Sequence, residues 1–191
     1  MMIKAIFLAA GQSKRIKYEN KLVKRYKKTP LINHSLKVLH KSKVKKVIIV
    51  LGHQHKEVKK IILKNKKNIF IYNKDYKEGM ASSIKVGLKK VARNDKGFIV
   101  VQSDMPFIKV SDINRICSSI LKKKHLVHAL KFKNRVGNPI GFDTPVLSKF
   151  KKLKGDYGAK FMVKRLKKQT NFIKVKSGKI FKDFDLKKDF N

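Results

Sequence analysis

Acidic residues are scarce in this chain: 12 Asp and Glu stand against 50 Lys and Arg in 191 residues, for a formal net charge of +38. Such a field attracts polyanions, and nucleic acid is the first partner it raises. Arginine is scarce as well, because only Arg15, Arg25, Arg93, Arg115, Arg135 and Arg165 are Arg and the remaining basic residues are Lys spread along the whole chain. Surfaces that read bases or clamp phosphates favour the Arg fork, whereas diffuse Lys reads as a solvated coat. A basic nucleic-acid-binding module is therefore the remote alternative, although the field would still draw in polyphosphate substrates. Cysteine is all but missing. Cys117 stands alone, which excludes an internal disulfide and makes a reducing cytoplasm the expected compartment. Long apolar runs are lacking too. Nothing approaches the roughly 18 residues of a membrane span, and the run Ala5 to Ala10 falls short of the roughly seven residues of a signal-peptide core, so no membrane partner is expected. Repeats, linkers and low-complexity tracts are absent apart from the Lys excess. With 42% apolar residues, the expectation is one domain over residues 1–191 with a substantial core.

What is present is an alternation of buried strands and amphipathic helices. The apolar run Ile3 to Phe7 leads into Leu8-Ala9-Ala10-Gly11-Gln12-Ser13-Lys14-Arg15. It reads as a buried strand ending in a turn whose small side chains let a ligand approach the backbone. The polar segment 14–29 reads as loop, and Thr29-Pro30 opens a helix whose apolar face runs through His40. Strands are expected at Val47 to Leu51, Ile69 to Tyr72 and Phe98 to Val101, with amphipathic stretches at His55 to Leu63, Ala81 to Val91 and Asp112 to Leu121. This order predicts an α/β fold with a mostly parallel central sheet covered by helices on both faces. The second half is less regular. Leu126 to Phe132 reads as a strand that Gly137-Asn138-Pro139 breaks, helices are expected at 146–150 and 159–166, and 172–175 with 180–181 read as strands around a Ser177-Gly178 hairpin.

Ligands of open α/β sheets bind beyond the carboxyl ends of the strands. Three stretches fall there: the loop after the first strand, Asn73 to Ser83, and Ser103-Asp104. An acid at the end of a buried strand, as Asp104 is, suits Mg²⁺, which takes one or two protein carboxylates and fills its shell with phosphate. The alternative is a cap for the following helix, for which Ser111 is better spaced. Asp183 and Asp185, two of the few acids, could return as a second ligand. His53 and His55 have no Cys or acid beside them to make a zinc site. Ser82 and Ser83 match no hydrolase motif and suit a helix start or a phosphate contact.

Taken together, the ordered motifs resemble the MobA-like nucleotidyltransferases, and among them molybdenum cofactor cytidylyltransferases. The pattern LAAGxSxRxxxxK is met by Leu8 to Arg15 with Lys21, and GMxxSL by Gly79-Met80-Ala81-Ser82-Ser83-Ile84. GDMPFV is met by Ser103-Asp104-Met105-Pro106-Phe107-Ile108, GxPVLF by Gly137 to Phe142, GDxGAR by Gly155 to Lys160, and DIDTPED by Asp183 to Asp189.

The resemblance implies a Rossmann-like sheet of the nucleotide-diphospho-sugar transferase type. It also implies roles: the backbone of Leu8, Ala9, Ala10 and Gly11 would hold base and ribose, and Arg15 and Lys21 the triphosphate. Asn73, Gly79, Ser82 and Ser83 would flank the nucleotide, with Asn138, Asp156 and Gly158 toward the acceptor and Asp104 and Asp185 on Mg²⁺. Ala10, where guanylyl-transferring relatives tend to have Gly, favours a pyrimidine. The implied reaction passes CMP from CTP to molybdopterin-bound molybdenum with release of pyrophosphate, followed by hand-over of the product to a molybdoenzyme or its chaperone. The sequence departs from the pattern at Ser103 (for Gly), Ile16-Lys17 (for Met-Gly), Asn138 (for His) and Leu186 (for Thr). These changes leave GTP or UTP as donor, or a sugar or polyol phosphate as acceptor, as the alternative.

Overall fold

The computed structural model describes residues 2–13 and 20–190. In chain order the elements are β1 (Ile3–Ala9), β2 (Arg25–Tyr26), β3 (Thr29–Pro30), α1 (Leu31–Lys41), β4 (Lys46–Leu51), α2 (His55–Ile61), β5 (Asn68–Tyr72), α3 (Met80–Leu88) and β6 (Gly97–Gln102). There follow α4 (Val110–Leu121), β7 (Val127–Phe132), β8 (Arg135–Asp143), α5 (Leu147–Phe150), α6 (Ala159–Arg165) and β9 (Thr170–Lys174). Among the described residues seven strands form one sheet in the order β5-β4-β1-β6-β8-β7-β9. Within that sheet β8 runs against both its neighbours and the other pairings are parallel.

The apolar strand runs are continuous because both faces of the sheet are covered. Ile32, Leu36 and Leu39 of α1, Val58 of α2 and Ile113, Ile116 and Ile120 of α4 pack on one face. Ala81 and Ile84 of α3, Phe150 of α5 and Met162 and Val163 of α6 pack on the other. Cys117, on the inner side of α4, is fully buried, and burial pushes its thiol up to about 11, so it stays protonated at neutral pH. Among the described residues no helix is long and apolar enough to cross a membrane.

Four local readings of the sequence are corrected. Residues 135–143 are one strand rather than a broken continuation of β7: Ala129 pairs with Ile140 and Leu130 with Gly137, so Asn138 and Pro139 bulge out of the ladder. Proline, which has no N–H to donate, is tolerated at such a bulge without ending the strand. Ile180-Phe181 belongs to a 3₁₀ turn at Gly178–Phe181, and β9 pairs in parallel with β7 as the sheet edge, so no hairpin forms at Ser177-Gly178. The segment before α1 carries a short hairpin, β2–β3, whose turn residues Lys27 and Lys28 have φ of 45° and 63°. Helix α4 begins at Val110, with the Lys109 N–H donating to Asp112 Oδ2 at 3.0 Å, so neither Asp104 nor Ser111 is its cap.

A polar relay joins α4 to strands β7, β8 and β9. His128, fully buried on β7, bridges Ser119 Oγ of α4 at 2.7 Å and Asp143 Oδ1 of β8 at 2.9 Å. Asn171 Nδ2 of β9 donates to the same hydroxyl at 2.7 Å. The relay satisfies a buried imidazole and ties four elements together. Ser119 sits inside a helix, where its amide is committed to the helical ladder and offers no oxyanion donor.

Candidate active site

The sheet order reverses between β1 and β6: the chain steps outward from β1 to β4 and β5, then returns to the other side of β1. Crevices at such a switch point, beyond the carboxyl ends of the strands, are where α/β sheets bind ligands. Here the crevice is a cleft of about 440 Å³. Its walls are Leu8 at the end of β1 and the loop after it (Ala10, Gly11, Gln12 and Ser13), Lys21 and Leu22, the turn into α3 (Tyr76, Lys77, Gly79, Met80 and Ser83), the end of β6 with the residues after it (Gln102, Ser103 and Asp104), Asp156 and Asp185.

Each wall is fixed by local chemistry. Ser103 donates its hydroxyl to Leu8 O at 2.6 Å, locking the end of β6 to the end of β1, and Ser35 Oγ donates to Ser103 O at 3.2 Å. Asp104 is thereby held against the β1 loop. The C-terminal segment reaches it through the Phe184 N–H, which donates to Asp104 O at 3.1 Å. The Phe184 ring is buried against Tyr26 (4.8 Å between centroids), Phe107 (5.7 Å) and Phe190 (5.3 Å). Asp189 Oδ2 accepts from the amides of Asp185 and Leu186, both at 2.9 Å, and so shapes the turn that presents Asp185.

Between the two acids stands Lys21. Its Nζ lies 2.6 Å from Asp104 Oδ2 and 2.6 Å from Asp185 Oδ1. Burial works to lower the Lys21 pKa, but the charges and hydrogen bonds of Asp104 and Asp185 outweigh it and the net shift is upward. For Asp104, burial raises the carboxyl above its ordinary value against the opposing pull of Lys21, and nearby Asp183 adds to the rise. The backbone of Lys21 is clamped, since its N–H donates to Ser13 Oγ at 3.1 Å. Among the described residues no group of three or more His, Cys, Asp or Glu gathers as a metal site. Asp104 Oδ1 is buried without a hydrogen-bond partner.

A match to the MobA-like NTP transferase domain runs over residues 5–170. The chain belongs to that family. The bifunctional protein GlmU of Clostridioides difficile (strain 630) is 31% identical to this MobA-like domain over 157 residues, which are 82% of the chain and 32% of GlmU. The chain spans about a third of the length of the curated relatives it matches. Among solved structures, Rv0371c from Mycobacterium tuberculosis H37Rv superposes with a TM-score of 0.86 at 22% identity, covering 99% of this chain and 95% of that one. A manganese complex of Rv0371c gives 0.75 at 20% identity, over 91% of this chain and 88% of that one. The 4-diphosphocytidyl-2C-methyl-D-erythritol synthase of Anaerococcus prevotii gives 0.77 at 14% identity, over 99% and 92%. At these identities the likeness to solved structures is one of fold.

Of the residues singled out in the sequence of this MobA-like domain, Leu8, Ala10, Gly11, Lys21, Gly79, Ser83, Asp104, Asp156 and Asp185 line the cleft. Arg15 lies outside the described residues. Ala9 faces the core under α1. Asn73 is buried behind the wall: its amide donates to Ser82 Oγ at 2.9 Å and Ser83 Oγ at 3.0 Å, and its oxygen accepts from Asp75 N at 3.1 Å. Ser82 lies within hydrogen-bond reach of the carbonyls of Asp75 and Gly79, inside the first turn of α3. Asn138 is buried at the β8 bulge, its Oδ1 without a partner, and does not line the cleft. Gly158 gives room to Met80, since a Cβ there would fall 2.5 Å from Met80 Sδ. Gln12, Ser13 and Met80, which lie inside the LAAGxSxR and GMxxSL motifs but were given no role, also line the cleft, as do Leu22, Tyr76, Lys77 and Gln102, which sequence reasoning missed. For the last four the available signal was their nearness in the chain to the singled-out turns.

Proposed function

We propose that this chain is a divalent-metal-dependent nucleotidyltransferase that passes CMP from CTP to the terminal phosphate of molybdopterin-bound molybdenum. The observation that carries the reading is Lys21 held between Asp104 and Asp185 at the mouth of a cleft floored by the open loop after β1. That pairing puts a cation and two hard-oxygen acids where a triphosphate would enter. A volume of about 440 Å³ suits a nucleotide-sized ligand.

The residues present fit a metal. Asp104 has a buried oxygen with no partner, and Asp185 stands across Lys21 from it, a donor set suited to Mg²⁺. The manganese of the Rv0371c complex is a divalent cation in the same fold. Bound at Asp104 and Asp185, Mg²⁺ would neutralise charge on the triphosphate. The chain's own residues do the rest. An acceptor phosphate oxygen bonds to the α-phosphorus, the bond from that phosphorus to the β-phosphate oxygen breaks, and pyrophosphate leaves. Because the nucleophile is already ionised, no general base is needed. Catalysis is positioning and charge neutralisation, supplied by the Lys21 ammonium and by the loop from Leu8 to Ser13, where Gly11 leaves open backbone. A Cβ built on Gly11 meets nothing within 4 Å, so a ligand can reach that backbone.

Base choice is assigned to Ala10. Its methyl abuts Gly52, where an added Cβ would lie 2.7 Å from both Ala10 Cβ and Tyr76 Cβ. A methyl here would narrow the wall on the side where the resemblance puts the base, and so favour the smaller pyrimidine. The test is a panel of CTP, GTP, UTP and ATP with pyrophosphate release as the readout. CTP is expected to be preferred by about tenfold or more over the purine donors GTP and ATP, the discrimination that about 1.4 kcal/mol provides; the methyl does not separate CTP from UTP, and that comparison tests the cytidylyl reading by itself. Equal use of all four would sink the cytidylyl assignment and leave a sugar or polyol phosphate acceptor, with another donor, as the reading to pursue.

A further inference from the structure

We infer that Lys21 is the resident counter-ion of the metal position: its ammonium holds Asp104 and Asp185 together when no divalent ion is bound, competes with metal for both, and transfers to nucleotide phosphates when metal and nucleotide arrive together. The inference rests on the metal reading proposed above and adds an order of events to it.

Three observations carry it. First, one Nζ contacts both carboxylates at 2.6 Å, so an ion drawing on these two carboxylates meets the ammonium at close range. The two cations compete for the same negative charge. Second, the ammonium uses only one oxygen of Asp104 and leaves Oδ1 buried without a partner. Lysine therefore offsets one of the pair's two charges without completing the donor set. Third, what can move is confined to the side chain. Lys21 N is bonded to Ser13 Oγ at 3.1 Å, Leu22 N to Asn20 Oδ1 at 3.1 Å, and Leu22 is buried, so the backbone is fixed while the four-carbon stem with its rotatable donors can swing. A cation leaving two carboxylates needs another anion to go to, and a triphosphate in the same cleft provides one. Metal and nucleotide are thus coupled: nucleotide draws Lys21 off the carboxylates and tightens metal, and by reciprocity metal tightens nucleotide.

The experiment measures Mn²⁺ binding through the free-ion electron paramagnetic resonance signal, with and without CTP, on the full chain. Without CTP, Lys21→Met is expected to bind Mn²⁺ about tenfold more tightly than wild type, within the usual range of such couplings. Lys21→Arg, which keeps a competing charge, should stay near wild type. With Mn²⁺ held by CTP alone subtracted from protein-free controls, CTP should tighten Mn²⁺ on wild type by about tenfold more than on Lys21→Met, whose gain comes only from the phosphates as metal ligands. Equal or weaker Mn²⁺ binding by Lys21→Met overturns the inference. So does an absence of CTP-induced tightening on wild type, a measurement that needs no variant. Asp104→Asn separates the two levels: if it binds Mn²⁺ as wild type does with CTP present, the metal reading itself fails, whatever Lys21 does.

Discussion

Asp104→Asn is expected to lower the rate of pyrophosphate release by on the order of 100-fold or more while the fold persists. The magnitude is that of removing one preorganised charge-stabilising group from an active site. The fold is expected to survive because the bonds that seat residue 104 are made by other groups. Ser103 Oγ to Leu8 O, Ser35 Oγ to Ser103 O and Phe184 N to Asp104 O do not involve the carboxylate. Lys21 keeps its contact with Asp185 at 2.6 Å, so no buried cation is left alone. Circular dichroism and the thermal midpoint should therefore match wild type within a few degrees. A variant that retains a third or more of the wild-type rate would remove Asp104 from the chemistry.

Gly79→Ala is expected to damage stability and activity together. Gly79 has φ of +100° and ψ of −177°, a conformation that only glycine adopts without strain. Space forbids a side chain as well, because a Cβ would fall 2.5 Å from Gly155 C, 2.6 Å from Gly155 O and 2.7 Å from Asp156 Oδ1. Those are the atoms by which the loop at 155–156 docks on the start of α3, where Ala81 N donates to Gly155 O at 3.0 Å and Met80 N to Asp156 Oδ1 at 3.3 Å. Strain alone costs about 1–3 kcal/mol, and for a chain of this size each kcal/mol lowers Tm by roughly 2–4 °C. The displaced loop carries Asp156 away from the cleft, so kcat/KM falls further than instability explains. Gly11→Ala is the control. With nothing within 4 Å of its Cβ and no positive φ, it should leave Tm unchanged and raise the KM for nucleotide, because only a bound ligand meets the new methyl. A Gly79→Ala variant with unchanged Tm would contradict the geometry of this wall.

Much of this arrangement was legible in the sequence. Residues 3–9, 46–51 and 97–102 are β-rich apolar runs whose burial on both faces forces a parallel, helix-covered sheet, and Asp104 could be placed at a strand end before any distance was known. Other features could not be read because they depend on partners distant in the chain. Asn138-Pro139 looks like a strand break, yet the bulge opposite Ala129-Leu130 absorbs it, and the antiparallel direction of β8 leaves no mark in its composition. Lys27 and Lys28 hold a two-residue hairpin turn in left-handed conformations that Asn-Gly would have announced and Lys-Lys does not. Ile180 is a buried apolar residue in a 3₁₀ turn, which a short apolar pair cannot distinguish from a strand. In the candidate site, the acids at positions 104 and 185 were visible one by one. What joined them was hidden, because the ring cluster that seats Phe184 draws on Tyr26, Phe107 and Phe190 from three separate segments. Asn73 and Ser82 were legible as polar residues on the right turn, but their hydrogen bonds go to that turn itself.

The most direct test of the account follows the label from α-phosphate-labelled CTP, with Mg²⁺ and molybdopterin-bound molybdenum as acceptor. The expected result is transfer of labelled CMP to the acceptor with one pyrophosphate released per transfer, abolished by a chelator and by Asp104→Asn. Label that stays in CTP, or leaves as free CMP whether or not acceptor is present, would contradict it.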